Sequence, residues 1–200
     1  NVIEFVTVAA EFCAFLERAE SMKRSTFVDT TLKILPLLYL KASMLPKCEM
    51  IGDESPETYV TEEIYEVLRI NLASILAEKD DYLEVFLPDM AYSDEPIKKN
   101  ISEDLADIYQ DIKDFIFVFQ LGLNETMNDS LAICQENFGL LWGQKLVNTM
   151  RALHDVKYSP KARGEDEEEE EYEPENNEDC HCEDDDCHCH DHGCHCHDDE

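Results

Sequence analysis

Lysine and arginine are absent from the last 36 residues of this chain, where Glu165 to Glu200 hold 19 Asp or Glu and no cation. That stretch also lacks aliphatic residues and carries one aromatic, Tyr172. It cannot bury enough apolar surface to offset the entropy of ordering it, which predicts a disordered extension. Long hydrophobic runs are missing as well. Phe115 to Phe119 stops at Gln120, far short of the ~18 apolar residues a membrane span needs. The start, Asn1-Val2-Ile3-Glu4, has no basic stretch ahead of an apolar one, and Glu4 and Glu11 interrupt the apolar residues of the first turns, so no secretory signal is expected. His154 is the one histidine before the extension, no Glu-x-x-His pair exists in the helical body for a di-iron bundle, and the six glycines form no phosphate-binding loop. With no catalytic constellation in view, the expectation is a protein that is not an enzyme.

What is abundant is negative charge, −31 in all, of which the last 36 residues supply 19 and the remainder 12. Nucleic acid and anionic membrane reward cations for displacing counterions, so neither is an expected partner. Of nine cysteines, six fall in Cys-His-Cys triplets inside the extension. No core exists there to hold a disulfide framework, so reduced thiols and a cytoplasmic location are expected. Cys13 and Cys134 sit on apolar helical faces and read as small core hydrophobes; Cys48 lies in a turn and stays open.

The first 164 residues hold nearly all the aliphatic side chains, and a domain of that size buries about 70% of its unfolded surface. Helical spacing dominates it. Phe5, Ala9, Phe12, Leu16 and Ala19 form one stripe, widened by Val6, Ala10 and Cys13. A second helix begins near Ser25 or Thr26, where Thr26 and Asp29 have the spacing of a capping box, and carries Leu32, Leu35, Leu38 and Leu45; Pro36 should kink or split it and Pro46 end it. Ser55-Pro56 is the expected start of a third, with Val60, Ile64, Val67, Leu68, Ile75 and Leu76 inward. Between Asp80 and Asn100 the pattern weakens into a loop that Tyr82, Val85 and Phe86 should pin down. A fourth helix sets Leu105, Ile108, Ile112, Phe115 and Phe119 against an opposed face of Asp104, Asp107, Asp111 and Asp114; Gly122 closes it and Asn124 should cap the next.

The fifth runs from about Glu125 to Asp155 with Met127, Leu131, Cys134, Phe138 and Leu141 on one face, shifting to Trp142, Leu146, Met150 and Leu153 at Gly139 and Gly143. A bend or a close approach by a neighbouring backbone is expected there, with Trp142 packed in the core. His154 should serve the last carbonyls of this helix. The fold class is therefore all-α, a five- to six-helix bundle with a disordered acidic C-terminal tail, the count depending on Pro36. The organisation expected is an all-helical domain over 1–157, an acidic linker over 158–178 and a Cys/His-rich tail over 179–200.

The stretches EFVTVAAEFCAFLE (4–17), LPLLYLKASMLP (35–46), DDYLEVF (80–86), SEDLADIYQDIKDF (102–115) and NFGLLWGQKLVNTMRALH (137–154) resemble a bacterial family of small helical proteins known as a domain of unknown function. The resemblance spans essentially the whole body and implies an all-helical cytoplasmic protein. It brings no catalytic residue with it.

The tail reads DCHCEDD (179–185), DCHCHDH (186–192) and GCHCHDD (193–199), three copies of a seven-residue unit. The candidate metal ligands are Cys180, His181, Cys182, Cys187, His188, Cys189, His190, His192, Cys194, His195, Cys196 and His197. Thiolate and imidazole suit Zn, Ni or Cu(I), whereas Ca or Mg would need oxygen donors alone. Twelve donors suffice for at most three four-coordinate sites, with two the central expectation. The tail's composition is similar to the Cys/His-rich tails of bacterial nickel and zinc chaperones and storage proteins. Transition-metal ions are thus the expected partners, for buffering, storage or delivery. The alternative is a helical module that binds a protein partner and uses the acidic tail only for solubility.

Overall fold

In the computed structural model the described residues are 1–84 and 97–159. The expected tail, and all but the first two residues of the expected linker, lie outside them. Six helices make up the described body: α1 (Val2–Glu17), α2 (Arg24–Ser43), α3 (Glu62–Leu76), α4 (Ile101–Gln120), α5 (Asn124–Asn137) and α6 (Gly143–Tyr158). The all-helical expectation holds, and none of these helices is long and apolar enough to cross a membrane. α4 lies at the centre, packed against α1, α3, α5 and α6, while α2 closes over α1 and α6.

The apolar stripes account for this arrangement. Phe5, Ala9, Phe12, Cys13 and Leu16 of α1 are buried, and so is Ala19 just beyond it. Phe5 meets Phe115 of α4 with ring centroids 5.5 Å apart. Burial of each such side chain contributes roughly 1.5–3 kcal/mol. α2 is not split at Pro36 and runs on through Ser43. Leu35 and Leu38, on either side of the proline, are both fully buried, and that anchoring offsets the missing backbone donor. The expected capping box at Thr26 and Asp29 does not form. The helix starts earlier, at Arg24, and Asp29 instead pairs with Lys33 and Lys157.

α3 begins at Glu62, not beside Pro56, and Thr61 caps it by accepting from the Ile64 amide at 3.3 Å. The residues ahead of it are held by α4, because the Tyr59 and Val60 amides both donate to Asp114. Val67, read as a core residue, is 55% exposed, whereas Leu72 is fully buried in the row Leu68, Leu72, Leu76. The Asp80–Asn100 region supplies a short antiparallel ribbon, β1 (Asp81–Glu84) and β2 (Ile97–Asn100), in register Asp81 to Asn100. Four residues per strand are too few for an alternating pattern to show in the sequence. Val85 and Phe86 lie outside the described residues. Asp80 then caps α4, accepting from the Ser102 amide and hydroxyl, each at 2.7 Å.

Gly122, with φ +74°, terminates α4 as its position predicts. Asn124 does not cap α5: it is the first helical residue and Leu123 occupies the cap position. The last helical segment holds the bend expected at its glycines, but the cause is internal. Phe138–Trp142 is a π-turn joining α5 to α6, so the helix count turns on this turn and not on Pro36. The extra residue rotates the stripe, exposing Leu141 and burying Trp142, whose indole N–H donates to the Cys134 carbonyl at 3.1 Å. A Cβ on Gly143 would lie 2.3 Å from the Phe138 carbonyl oxygen, whereas one on Gly139 would meet open space. Gly143→Ala should therefore destabilise the body by about 1–3 kcal/mol in urea unfolding. Gly139→Ala should be neutral or add up to ~1 kcal/mol. Equal effects of the two would contradict the π-turn geometry.

Candidate functional site

The polar groups of the body converge on α4. Asp104, Asp107, Asp111 and Asp114 each precede a buried apolar residue by one position, so their row lies about 100° from the apolar stripe and not opposite it. Their charge suggested an opposed, solvated face. The structure instead buries Asp104, only 4% exposed, and leaves Asp107, Asp111 and Asp114 half-buried against neighbouring elements. The signal was present in that one-residue offset, and in Ile101, Ala106, Tyr109, Ile116 and Val118, which narrow the solvent face of α4.

Carboxylates drawn even partly out of water need donors, and each of the four receives one from a different element. The Tyr82 hydroxyl of β1 donates to Asp104. Asp107 accepts from the Tyr65 hydroxyl of α3 at 2.8 Å and pairs with Lys145 of α6. Asn137 of α5 donates to Asp111 at 2.6 Å. Asp114 takes the Tyr59 and Val60 amides at 2.7 and 2.8 Å. Desolvation still disfavours the charges. It pushes Asp104 up to about 6 against the opposing hydrogen bond from Tyr82, and it raises Asp111 and Asp114 above the ordinary carboxylate range. Burial, with Asp107 and Asp104 beside them, also raises the Tyr65 and Tyr82 phenols, so both remain donors.

Two hollows flank this row. A cavity of about 300 Å³ opens between α4, α5 and the segment before α3, lined by Glu57, Gln110, Asp111, Asp114, Ser130 and Asn137 among others. A groove of about 660 Å³ runs between the ribbon and α6 past Tyr82, Glu84, Asn148, Arg151, His154 and Asp155. Asn148 donates to Glu84 across it at 2.9 Å. His154 is exposed, and its ring packs on Tyr158 at 4.6 Å. Burial drives the Cys13 and Cys134 thiols far up, as suits core hydrophobes. Cys48, left open by the sequence, is half-buried, donates to the Asn128 carbonyl at 3.4 Å and is raised by burial and by Asp129. None of these three is poised as a thiolate at neutral pH.

Among the described residues no group of three or more His, Cys, Asp or Glu is placed to hold a metal ion. All twelve sequence-predicted ligands, from Cys180 to His197, lie outside the described residues.

The row yields a pH prediction. Asp104 is harder to ionise folded than unfolded, so folding takes up a proton between its unfolded value near 3.8 and about 6. Its contribution is most favourable below that window and declines as pH rises through it, by roughly 2–3 kcal/mol in all. Asp104→Asn should therefore gain stability relative to the parent between pH 4.5 and 7, read from urea midpoints. A difference that stays flat over that range would remove the desolvated charge from the account.

Comparison with known proteins bears on the body. Residues 1–159 match the family described as Domain of unknown function (DUF5063). No curated protein matches the chain. A crystal structure of protein BF1032 from Bacteroides fragilis is similar at 93% identity and a TM-score of 0.74, covering 82% of this chain and 96% of that one. With its matched stretch taking in the whole of the described body, the chain belongs to the Domain of unknown function (DUF5063) family.

Proposed function

We propose that this chain is a non-enzymatic metal-handling protein of the cytoplasm. In this reading the helical body carries a Cys/His tail that takes up Zn, Ni or Cu(I) for buffering, storage or delivery. The observation that carries the reading is the threefold repetition of the Cys-His-Cys unit at a spacing of seven residues. Chance does not reproduce two soft donors flanking an imidazole three times in register. Two properties of the body support it. Its own thiols have raised pKa values and are poor competitors for metal. The family match also ends at residue 159, ahead of every repeat.

Uptake must displace thiol protons, and the surrounding carboxylates hold those protons more tightly, so binding weakens as pH falls. A second reading is favoured by Leu37, Leu40 and Met44, exposed at helical spacing on one side of α2. On that reading the body docks a protein and the tail only keeps it soluble.

Metal analysis of full-length chain purified without affinity resin, beside a chain ending at Arg163, separates the two. The full chain should carry one to three equivalents of Zn, Ni or Cu, and the shortened chain none. Equal metal in both would discard the metal-handling reading.

A further inference from the structure

α2 departs from the rest of the molecule in charge. Residues 21–48, which contain it, carry Lys23, Arg24, Lys33, Lys41 and Lys47 against one acid, Asp29, a net +4 in a chain of −31. Successive helical residues turn by about 100°, which puts Lys33, Leu37, Leu40 and Met44 within about 60° of one another on its outer side. All four are exposed, the three apolar ones by 44, 51 and 45%. Resting on the second reading, that the body docks a protein, we infer that this stripe receives an amphipathic helix of a partner whose apolar face is flanked by carboxylates.

The inner side of α2 is occupied, with Leu35 and Leu38 fully buried and α1 and α6 packed against the helix. The outer stripe has no such cover among the described residues. Steps of three and four between Leu37, Leu40 and Met44 are the spacing at which a second helix, laid alongside, finds its anchors. From Lys33 to Met44 the stripe runs roughly 16 Å, about three turns. That is room for one short helix.

Charge selects the occupant. The two acids bordering the stripe are already engaged: Glu4 pairs with Lys41 at 2.9 Å, and Asp29 is shared by Lys33, at 2.5 Å, and Lys157. One carboxylate between two ammonium groups leaves positive charge over, and the Lys33 side chain is 73% exposed. Lys47, also exposed, follows just past the end of the helix. Carboxylates on the edges of a partner's apolar face answer these lysines. A second copy would set lysine against lysine and one chain of −31 against another. An anionic membrane would attract this face and repel the whole chain. A bare acidic run such as Glu165 to Glu171 has no apolar side chain to set on the leucines.

Fluorescence anisotropy with the full-length chain tests this, at about 0.15 M salt, where charges beyond ~8 Å are screened. The probes are a labelled helical peptide of about five turns with a leucine face and glutamate flanks, its glutamine-flanked counterpart, and the acidic heptapeptide of Glu165 to Glu171. The glutamate-flanked helix should bind with the micromolar affinity of a small interface, at least ~5-fold more tightly than the glutamine-flanked one. Leu37→Gln with Leu40→Gln should weaken both helices ~10-fold or more with the urea midpoint unchanged, since both residues are exposed. Lys33→Gln should erase the preference and leave the glutamine-flanked affinity as it was. Equal affinity of the two helices, with both still sensitive to the leucine change, would keep the docking face and overturn the acidic partner. The same holds for three outcomes that name another occupant: a heptapeptide binding as tightly as the glutamate-flanked helix, leucine-dependent binding to phosphatidylserine vesicles, or a leucine-dependent dimer in sedimentation equilibrium. Binding by no probe, or binding indifferent to the leucines, would overturn the docking reading as well.

Discussion

Burial of α4 on nearly every side is the constraint on which the rest of the body depends. A helix enclosed by α1, α3, α5 and α6 buries Asp104 and half-buries the other three carboxylates of its aspartate row, and an unpaired buried charge costs several kcal/mol. The ribbon, α3, α5, α6 and the chain entering α3 therefore each bring a donor to a particular height on α4. β1 brings Tyr82, α3 brings Tyr65, α6 brings Lys145, α5 brings Asn137, and the chain entering α3 brings two amides. Sliding any of them by one helical turn would strand a carboxylate. Apolar packing alone tolerates such slips far better, because leucines and phenylalanines are interchangeable contacts. The row thus supplies specificity where the core supplies stability.

What was legible in the sequence divides along the same line. The stripes of α1, α4 and α5 could be read because apolar periodicity is set by burial itself, and Phe12, Leu105, Ile112 and Cys134 are where that periodicity puts them. Helix starts were harder. Thr26, Ser55 and Asn124 each have the right chemistry for a cap, yet none acts as one, since a cap depends on the angle at which the chain enters and tertiary contacts decide that angle. Asp29 goes to two lysines, and Tyr59 and Val60 go to Asp114. The aspartate row escaped for a different reason. Charge suggested a solvated face, whereas the one-residue offset from the apolar stripe placed it on the flank, where a crowded helix has neighbours and not solvent.

The π-turn shows how a local feature serves the same packing. In an uninterrupted α-helix from α5 into α6, Trp142, four residues after Phe138, would stay near the stripe, but Leu146 and Leu153 would drift round from Cys134 and Phe138. One added residue rotates α6 so that Trp142, Leu146 and Leu153 face the core. Gly143 is the residue that permits it, because any Cβ there would strike the Phe138 carbonyl. The same rotation positions Lys145 to reach Asp107, so the π-turn and the aspartate row are coupled: without the turn, one carboxylate loses its cation.

The metal-handling reading draws its coherence from a contrast between two sets of thiols. Cys13 and Cys134 are removed from metal chemistry by burial, which holds their protons on. The six thiols of the repeats stand among carboxylates, which also favour the protonated form, but through charge and not through a dry environment. That difference matters, because a cation relieves the first obstacle not at all and the second directly. On that reading a metal ion taken up by the repeats displaces thiol protons, and falling pH would reverse the uptake. On the same reading, a body whose described residues place no metal-holding group and a tail whose affinity would follow pH suit a buffer, since a buffer must release what it holds.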